Sequence, residues 1–324
     1  MKRKLAFLWD WEIPMEWRFQ DQDGIWAALR IMAREWDVRV FTRGAGPHST
    51  HHDGLQWQFT TMPELGISEF KPDVILCWGS LDRPWWELVH KHNGVPMALC
   101  FAGGPTQHPY LSYFQHVFVE SQVYEDAFAA QGITVSRAFG TNTKFFISRR
   151  VRKVWRAIYP SAFCRHKQIE LFCQAVRDGG LVVGGHNDEA LVGKALSLGT
   201  SVLPRVSANT LRWLYNMSGC CVVPAGPDGG GQRVCLEAMS CGIPVIVMDN
   251  NDKCKDFLSA PGCTTVEPFP SEIREVVDVI YKSGRYPAEP IYIREWVVEN
   301  YGEGKYAEAL ARPLEVLCQT SSTS

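Results

Sequence analysis

The sequence predicts an α/β protein of two successive, doubly wound parallel sheets, and three observations carry that expectation. Short continuous apolar runs recur along the 324 residues, separated by stretches of helical periodicity. The runs do not alternate apolar with polar, which is how strands buried on both faces of a parallel sheet read. The rhythm stops once, over residues 140–156, where basic residues accumulate, and then restarts. Two halves of domain size follow, 1–148 and 149–324, each a doubly wound (Rossmann-like) unit. Ligands are expected at the carboxyl ends of the strands, in the cleft between the halves.

The first half opens on Leu5-Ala6-Phe7-Leu8-Trp9, a buried strand. Asp23 then stands as an N-cap before a helix over about 24–34. Strands follow at 38–41, 73–78, 96–101 and 116–119. In the second half, strands fall at 157–159, 180–183, 201–203, 220–223 and 244–248, with helices at about 165–178, 189–198, 207–218 and 231–241. His48, His51 and His52 lie in a polar stretch and read as an exposed loop, and residues 320–324 read as a frayed tail.

Composition narrows the function. Lys plus Arg is 33 against 35 for Asp plus Glu, a formal net charge of −2. No global basic field exists to hold nucleic acid or anionic lipid, so such a contact needs a local patch. The 11 cysteines form no Cys-x-x-Cys pair, and Cys77, Cys100, Cys220 and Cys221 sit inside apolar runs. This reads as free thiols in a reducing, cytoplasmic setting rather than a disulfide or zinc framework. The apolar run after Met1-Lys2-Arg3-Lys4 breaks at Asp10, too short for a signal-peptide core, and no run has membrane-spanning length.

The segment richest in chemistry is 222–245. A buried strand ends at Val223, Gly229-Gly230-Gly231 follow, and a helix starts at Gln232 and stops at Gly242, with Pro244 opening the next strand. The glycines remove side chains where the helix exposes unpaired N–H groups, a seat for a phosphate or a sugar hydroxyl. Glu237 lies at the edge of the face shared by Val234, Ala238 and Cys241. There it can accept two hydroxyl hydrogen bonds, as a ribose diol supplies, or pair with Arg233 one turn back on a wet face.

Here Leu236-Glu237-Ala238-Met239-Ser240-Cys241-Gly242-Ile243-Pro244-Val245-Ile246 resembles the donor-domain signature of retaining, nucleotide-sugar-dependent glycosyltransferases of the GT-B fold, family 4 in particular. The resemblance implies that Glu237 holds the donor ribose. The family's first signature glutamate falls on Gly229, with Asp228 adjacent as a substitute. Residues 139–146, including Gly140, resemble the family's interdomain hinge. Residues 157–167, including Ser161, are similar to its diphosphate-gripping loop, with Lys167 on the family lysine. Ala162 takes the arginine position, and Arg165 can supply the second cation. Residues 295–301 resemble the closing helix, expected as one element over about 290–316 that crosses back to the first domain.

Weaker features complete the site. Asp21-Gln22-Asp23 has the form of a metal-binding Asp-x-Asp motif, but its place before a helix makes Asp23 an N-cap. No metal requirement is expected, because basic side chains and helix dipoles stabilise the leaving diphosphate in this fold. The loop after the first strand carries Asp10, Glu12, Glu16, Trp11, Trp17 and Phe19, a set suited to a sugar or base acceptor, or to packing on itself. Gly103 and Gly104 follow another strand, and His108 lies near the position where the family often places a histidine. Arg149, Arg150, Arg152, Lys153 and Arg156 form a basic run, either a solvated face or a rim suited to a polyanion such as DNA.

The resulting expectation is a retaining transferase that uses a nucleoside diphosphate sugar (UDP-glucose-like). Lys167, Arg165 and Glu237 are its catalytic residues. Asp228, Gly229, Gly230, Gly231, Gln232, Gly140 and Ser161 bind the donor, and Asp10, Trp11, Trp17, Asp23, Gly103, Gly104 and His108 the acceptor. Virus-encoded enzymes of this fold glycosylate hydroxymethylated DNA bases, which makes such a base the favoured acceptor and DNA a partner through the basic run. A saccharide or small-molecule acceptor is the enzymatic alternative, and a non-catalytic sugar-nucleotide or nucleic-acid binder the alternative of another class. No membrane partner is expected, because no amphipathic basic helix is present.

Overall fold

A computed structural model of the protein describes residues 2–9, 23–42, 48–52, 54–185, 188–227, 229–284 and 286–320. The chain divides into two compact units, one of Met1–Gly140 with Glu303–Ser324, the other of Thr141–Gly302. The join therefore falls at 140/141 rather than at 148, and the chain returns to the first unit at Glu303.

The first unit is built on strands β1 (Lys4–Trp9), β2 (Asp37–Thr42), β3 (His48–His52), β4 (Leu55–Phe59), β5 (Val74–Gly79), β6 (Met97–Phe101), β7 (His116–Val119) and β8 (Val135–Arg137). Helices α1 (Gly24–Met32), α2 (Pro63–Phe70), α3 (Trp85–Asn93) and α4 (Gln122–Ala129) connect them. The sheet order is β3-β4-β2-β1-β5-β6-β7-β8, parallel except for the β3–β4 pair. Because side chains alternate across a strand, the uninterrupted apolar runs feed two cores at once. Leu5, Phe7, Val74 and Leu76 join the core on one face, whereas Ala6, Leu8, Ile75 and Cys77 join the other.

β3 and β4 correct the loop expected around the histidines: His48–His52 is an edge strand paired antiparallel with Leu55–Phe59. β4 buries Leu55, Trp57 and Phe59 between half-exposed glutamines, so its signal is alternation and not a continuous run.

The second unit holds β9 (Trp155–Pro160), β10 (Gly180–Val183), β11 (Ser201–Leu203), β12 (Ser218–Val223), β13 (Val245–Met248) and β14 (Cys263–Val266). All pair in parallel, in the order β11-β10-β9-β12-β13-β14. Its helices are α5 (Ile169–Ala175), α6 (Glu189–Ser197), α7 (Ala208–Asn216), α8 (Gln232–Ser240), α9 (Pro270–Ser283) and α10 (Pro290–Tyr301). Each expected strand and helix of this half is present within a few residues, apart from a short 3-10 turn at Arg165–Lys167 that precedes α5.

The single closing helix expected over about 290–316 is two helices. α10 ends at Tyr301, and α11 (Glu303–Thr320) begins a separate helix that packs on α1 in the first unit. The break sits at Gly302, where a Cβ would lie 2.6 Å from the Val298 carbonyl oxygen. Thr141, where the chain enters the second unit, pairs with Gly302, where it leaves.

Candidate functional site

In the second unit the strand order reverses at β9. β10 and β11 lie to one side of it, and β12, β13 and β14 to the other. Loops leaving β9 and β12 therefore diverge around an open crevice at the carboxyl ends of the strands, the usual ligand position in such sheets. The β9 loop carries Ser161, Arg165 and Lys167, and the β12 loop carries Gly229, Gly230 and Gly231.

Close packing explains the glycines. A Cβ on Gly229 would lie 2.3 Å from the Ala225 Cβ and 2.8 Å from the His166 carbonyl oxygen. On Gly231, at φ +115°, it would lie 2.4 Å from Val223 Cγ1. The position that the family resemblance gives to a glutamate thus has no room for any side chain, because the glycine loop is pressed onto the Arg165–Lys167 turn. That turn also holds Lys167, whose Nζ donates to the Gly229 carbonyl oxygen. The Tyr159 hydroxyl in turn donates to the Lys167 carbonyl at 3.0 Å.

Gly231 is the N-cap of α8 and no side chain caps this end, so the helix presents its first N–H groups and its positive pole beside Lys167. The buried Gln232 begins the helix. Asn251, just after β13, donates through Nδ2 to Ala225 O at 2.8 Å and to Gly230 O at 2.9 Å. It clamps both shoulders of the glycine loop. Sequence reasoning passed over Asn251; the available signal was a polar residue directly after a buried strand adjacent to β12.

Glu237 lies on the second turn of α8. It is buried, and its Oε2 accepts a 2.8 Å hydrogen bond from the Tyr215 hydroxyl of α7. Its burial does not fit a wet helix face. The Tyr215 phenol is held well above its ordinary range, first by burial and then by the Glu237 charge. Tyr215 is a second residue the sequence did not single out.

The other expected site residues are placed as follows. Ser161 caps the end of β9: its N–H donates to Val183 O at 2.8 Å, and its Oγ donates to the Ala162 carbonyl at 3.2 Å. Arg165 is exposed at the head of the turn. Gly140 is buried and is the last residue of the first unit before the chain enters the second. Asp23 caps α1 by accepting from the Ile25 N–H at 3.2 Å, an ordinary helix-start role. Asp10, Trp11, Trp17 and Asp228 lie outside the described residues.

In the first unit, Gly103 and Gly104 follow β6 with φ of +105° and +111°. A Cβ on Gly104 would touch that of Ser80 at 3.7 Å, and Ser80 Oγ donates to Asp82 at 2.5 Å. That hydrogen bond holds the Asp82 carboxyl below its usual value, and His108 lies within electrostatic reach. His108 itself uses Nδ1 to accept from the Tyr110 N–H at 3.2 Å, capping a short 3-10 turn at Pro109–Tyr113. The structure thus gathers Gly104, Ser80, Asp82 and His108 at the ends of β5 and β6. Ser80 and Asp82 were missed, having no recognisable motif.

The basic run lies near the C-terminal end of α8. Arg149, Arg150, Arg152 and Lys153 line a cavity with Cys241 and Gly242, at the C-terminal end of α8, opposite the end that faces the glycine loop. Arg156 is engaged by Asp278. Within the second unit the run lies apart from Lys167 and Gly229.

Comparison with known proteins places this geometry. Residues 141–280 match the family model described as Glycosyl transferases group 1. The match falls within the second unit. No curated protein sequence matches the chain. Among solved structures, a glycosyltransferase from Rickettsia africae is similar over 100% of both chains, with a TM-score of 0.73 at 12% identity. HepE of Anabaena, solved in complex with UDP and glucose, is similar over 97% of this chain and 100% of its own, with a TM-score of 0.72 at 12% identity. Sucrose-phosphate synthase from Thermosynechococcus elongatus is similar over 99% of this chain and 98% of its own, with a TM-score of 0.64 at 17% identity. At these identities the likeness is one of fold, and the fold is GT-B. The matched residues include the β9 turn, the glycine loop and α8, the elements that hold Lys167, Gly229 and Glu237. Among the described residues, no helix is long and apolar enough to cross a membrane.

Proposed function

We propose that the chain transfers a hexosyl group from a nucleoside diphosphate sugar of the UDP-glucose kind to a hydroxyl of a saccharide-type acceptor, with retention of configuration. The carrying observation is the uncapped N-terminus of α8, approached by glycines at 229–231 and flanked by the Lys167 ammonium. Helix dipole, bare backbone N–H groups and a cation together match a diphosphate. Lys167 and Arg165 neutralise the charge that develops on the departing diphosphate, and that role needs no metal ion. The Glu237 carboxylate offers about four lone-pair positions, of which Tyr215 takes one, and it accepts hydroxyl groups of the donor ribose. The group 1 match and the UDP and glucose bound by HepE support this donor class.

Retention follows from a front-face reaction, in which the leaving phosphate accepts the acceptor's proton while the new bond forms on the same side of the sugar. The first unit supplies the acceptor residues, with Gly103, Gly104, Ser80 and Asp82 the described candidates. A hydroxymethylated pyrimidine base in DNA gains no support from the comparisons, which include synthases of sucrose phosphate and trehalose phosphate. The saccharide reading takes its place, in keeping with the sucrose-phosphate synthase likeness.

The test incubates the protein with UDP-glucose and a panel of mono- and disaccharides, sugar phosphates and hydroxymethylcytosine-containing DNA, followed by mass spectrometry. A hexose gain on a saccharide or sugar phosphate, with anomeric retention by NMR, is the expected result. A gain on the DNA nucleoside alone overturns the acceptor assignment. Saturable UDP binding with no sugar release from any mixture overturns the enzymatic reading in favour of a binding protein.

A further inference from the structure

The second unit has a cavity of about 800 Å³ whose walls come from 148–153, the end of α8 and the start of α10. Its lining includes Arg149, Arg150, Arg152, Lys153 and Arg294, with Glu289 the one carboxylate among the described lining residues. Neighbouring cations of one sign repel, and an anion seated among them relieves that repulsion. Burial pushes the Lys153 ammonium below its ordinary pKa.

The wall is held in shape. Buried Asn216 accepts from the Arg149 N–H at 2.6 Å and donates to Ile147 O at 3.1 Å, while its own carbonyl accepts from Lys153 Nζ at 2.8 Å. The Arg149 guanidinium lies over the Trp213 ring, 5.1 Å from its centroid. Arg294 donates to the carbonyls of Phe146, Ser240 and Thr143 at 2.6–2.7 Å, which fixes its guanidinium at the wall. Arg150 and Arg152 stay exposed. The N-terminus of α10 opens beside Glu289 and adds its positive pole.

From this half-open, fixed and cationic recess we infer a second ligand site in the second unit, which takes a small, multiply phosphorylated molecule. The volume lies within the usual range of small-molecule pockets. Arginine forks suit phosphate oxygens, and Lys153 adds a point charge at the base. The site is separate from the glycine loop, being at the opposite end of α8, and it stands whether or not the proposed transfer reaction is correct.

The test is calorimetric titration of inorganic tripolyphosphate into the full-length protein, in wild type and three variants. Arg150→Ser with Arg152→Ser removes two exposed cations without touching either core, and Arg152→Glu repels the same ligand by a single change. Lys167→Met disables the glycine loop instead. Expected are saturable binding to wild type, weakened about 100-fold in the double variant, a loss of similar sign in Arg152→Glu, and tripolyphosphate binding kept in Lys167→Met. UDP affinity should be unchanged by the two arginine variants. Tripolyphosphate affinity within about twofold of wild type in the double variant, or loss only in Lys167→Met, overturns the assignment. So does a 20-base-pair DNA duplex that outcompetes tripolyphosphate through the same arginines, which would make the run a nucleic-acid surface.

Discussion

Gly229→Ala adds one methyl group to the place where a glutamate stands in the family signature, and the structure makes its consequence calculable. No left-handed backbone is involved, so the effect is steric alone. The new carbon would lie 2.3 Å from the Ala225 Cβ and 2.8 Å from the His166 carbonyl oxygen. Carbon atoms in contact sit at about 3.5–4.0 Å, so the loop must retreat by about 1.2 Å or more. Both obstacles are short: one is a Cβ and the other is backbone, and neither can swing aside as a long side chain would. Overpacking of this kind costs about 1–3 kcal/mol. For a unit of this size that lowers the melting temperature by roughly 2–12 °C.

The same retreat carries the Gly229 carbonyl away from Lys167 Nζ, and the affinity for UDP should fall about tenfold. Differential scanning calorimetry and UDP titration read the two effects separately. Adding Ala225→Gly removes the carbon–carbon clash and leaves the His166 contact, so the double variant should recover about half of the lost stability, a coupling above roughly 0.5 kcal/mol. If Gly229→Ala melts within about 1 °C of wild type, or Ala225→Gly gives no rescue, the packing argument for this glycine is wrong.

Four further outcomes are expected. Lys167→Met should lower donor turnover about 100-fold or more with little change in melting temperature; unchanged turnover removes Lys167 from the diphosphate. Asn251→Ala strips the clamp from Ala225 O and Gly230 O, costs about 1–3 kcal/mol and speeds amide exchange over 229–232; unaltered exchange there refutes the clamp. Glu237→Ala should abolish donor use, whereas Tyr215→Phe retains it at a stability cost of about 1 kcal/mol, and activity in the glutamate variant ends the ribose assignment. Burial pulls His116, whose ring contacts Ser136 Oγ at 2.8 Å, from 6.5 down to about 4. The unfolded chain binds the extra proton between these values, so this contribution is complete above pH 6.5 and lost as pH falls through 4. It amounts to about 3 kcal/mol at most, and His116→Asn should flatten that part of the melting curve series.

The parts of this protein legible in its sequence are those fixed by periodicity or by backbone chemistry. Runs such as Leu5-Ala6-Phe7-Leu8 announce a strand because each side chain is buried on one face or the other. The glycine loop and α8 were legible because an uncapped helix after a strand needs glycines wherever its backbone is approached closely. β4 escaped a search for continuous runs since its glutamines face partly outward, and β3 has no apolar residue to betray it. The break at Gly302 was hidden because helical periodicity continues on both sides of it, and only the extended backbone there, at φ −64° and ψ 160°, shows where the helix stops. The residues missed at the site share one property. Asn251, Tyr215, Ser80 and Asp82 act through partners distant in sequence or through turns with no motif, so their roles exist only once the sheet order has brought those elements together. The basic run shows the converse: five cations within eight positions are conspicuous in sequence, yet which end of α8 they occupy depends on Asn216 and Arg294, whose hydrogen bonds to 143–153 are tertiary. Charge density was readable from one dimension; the ligand it faces was not.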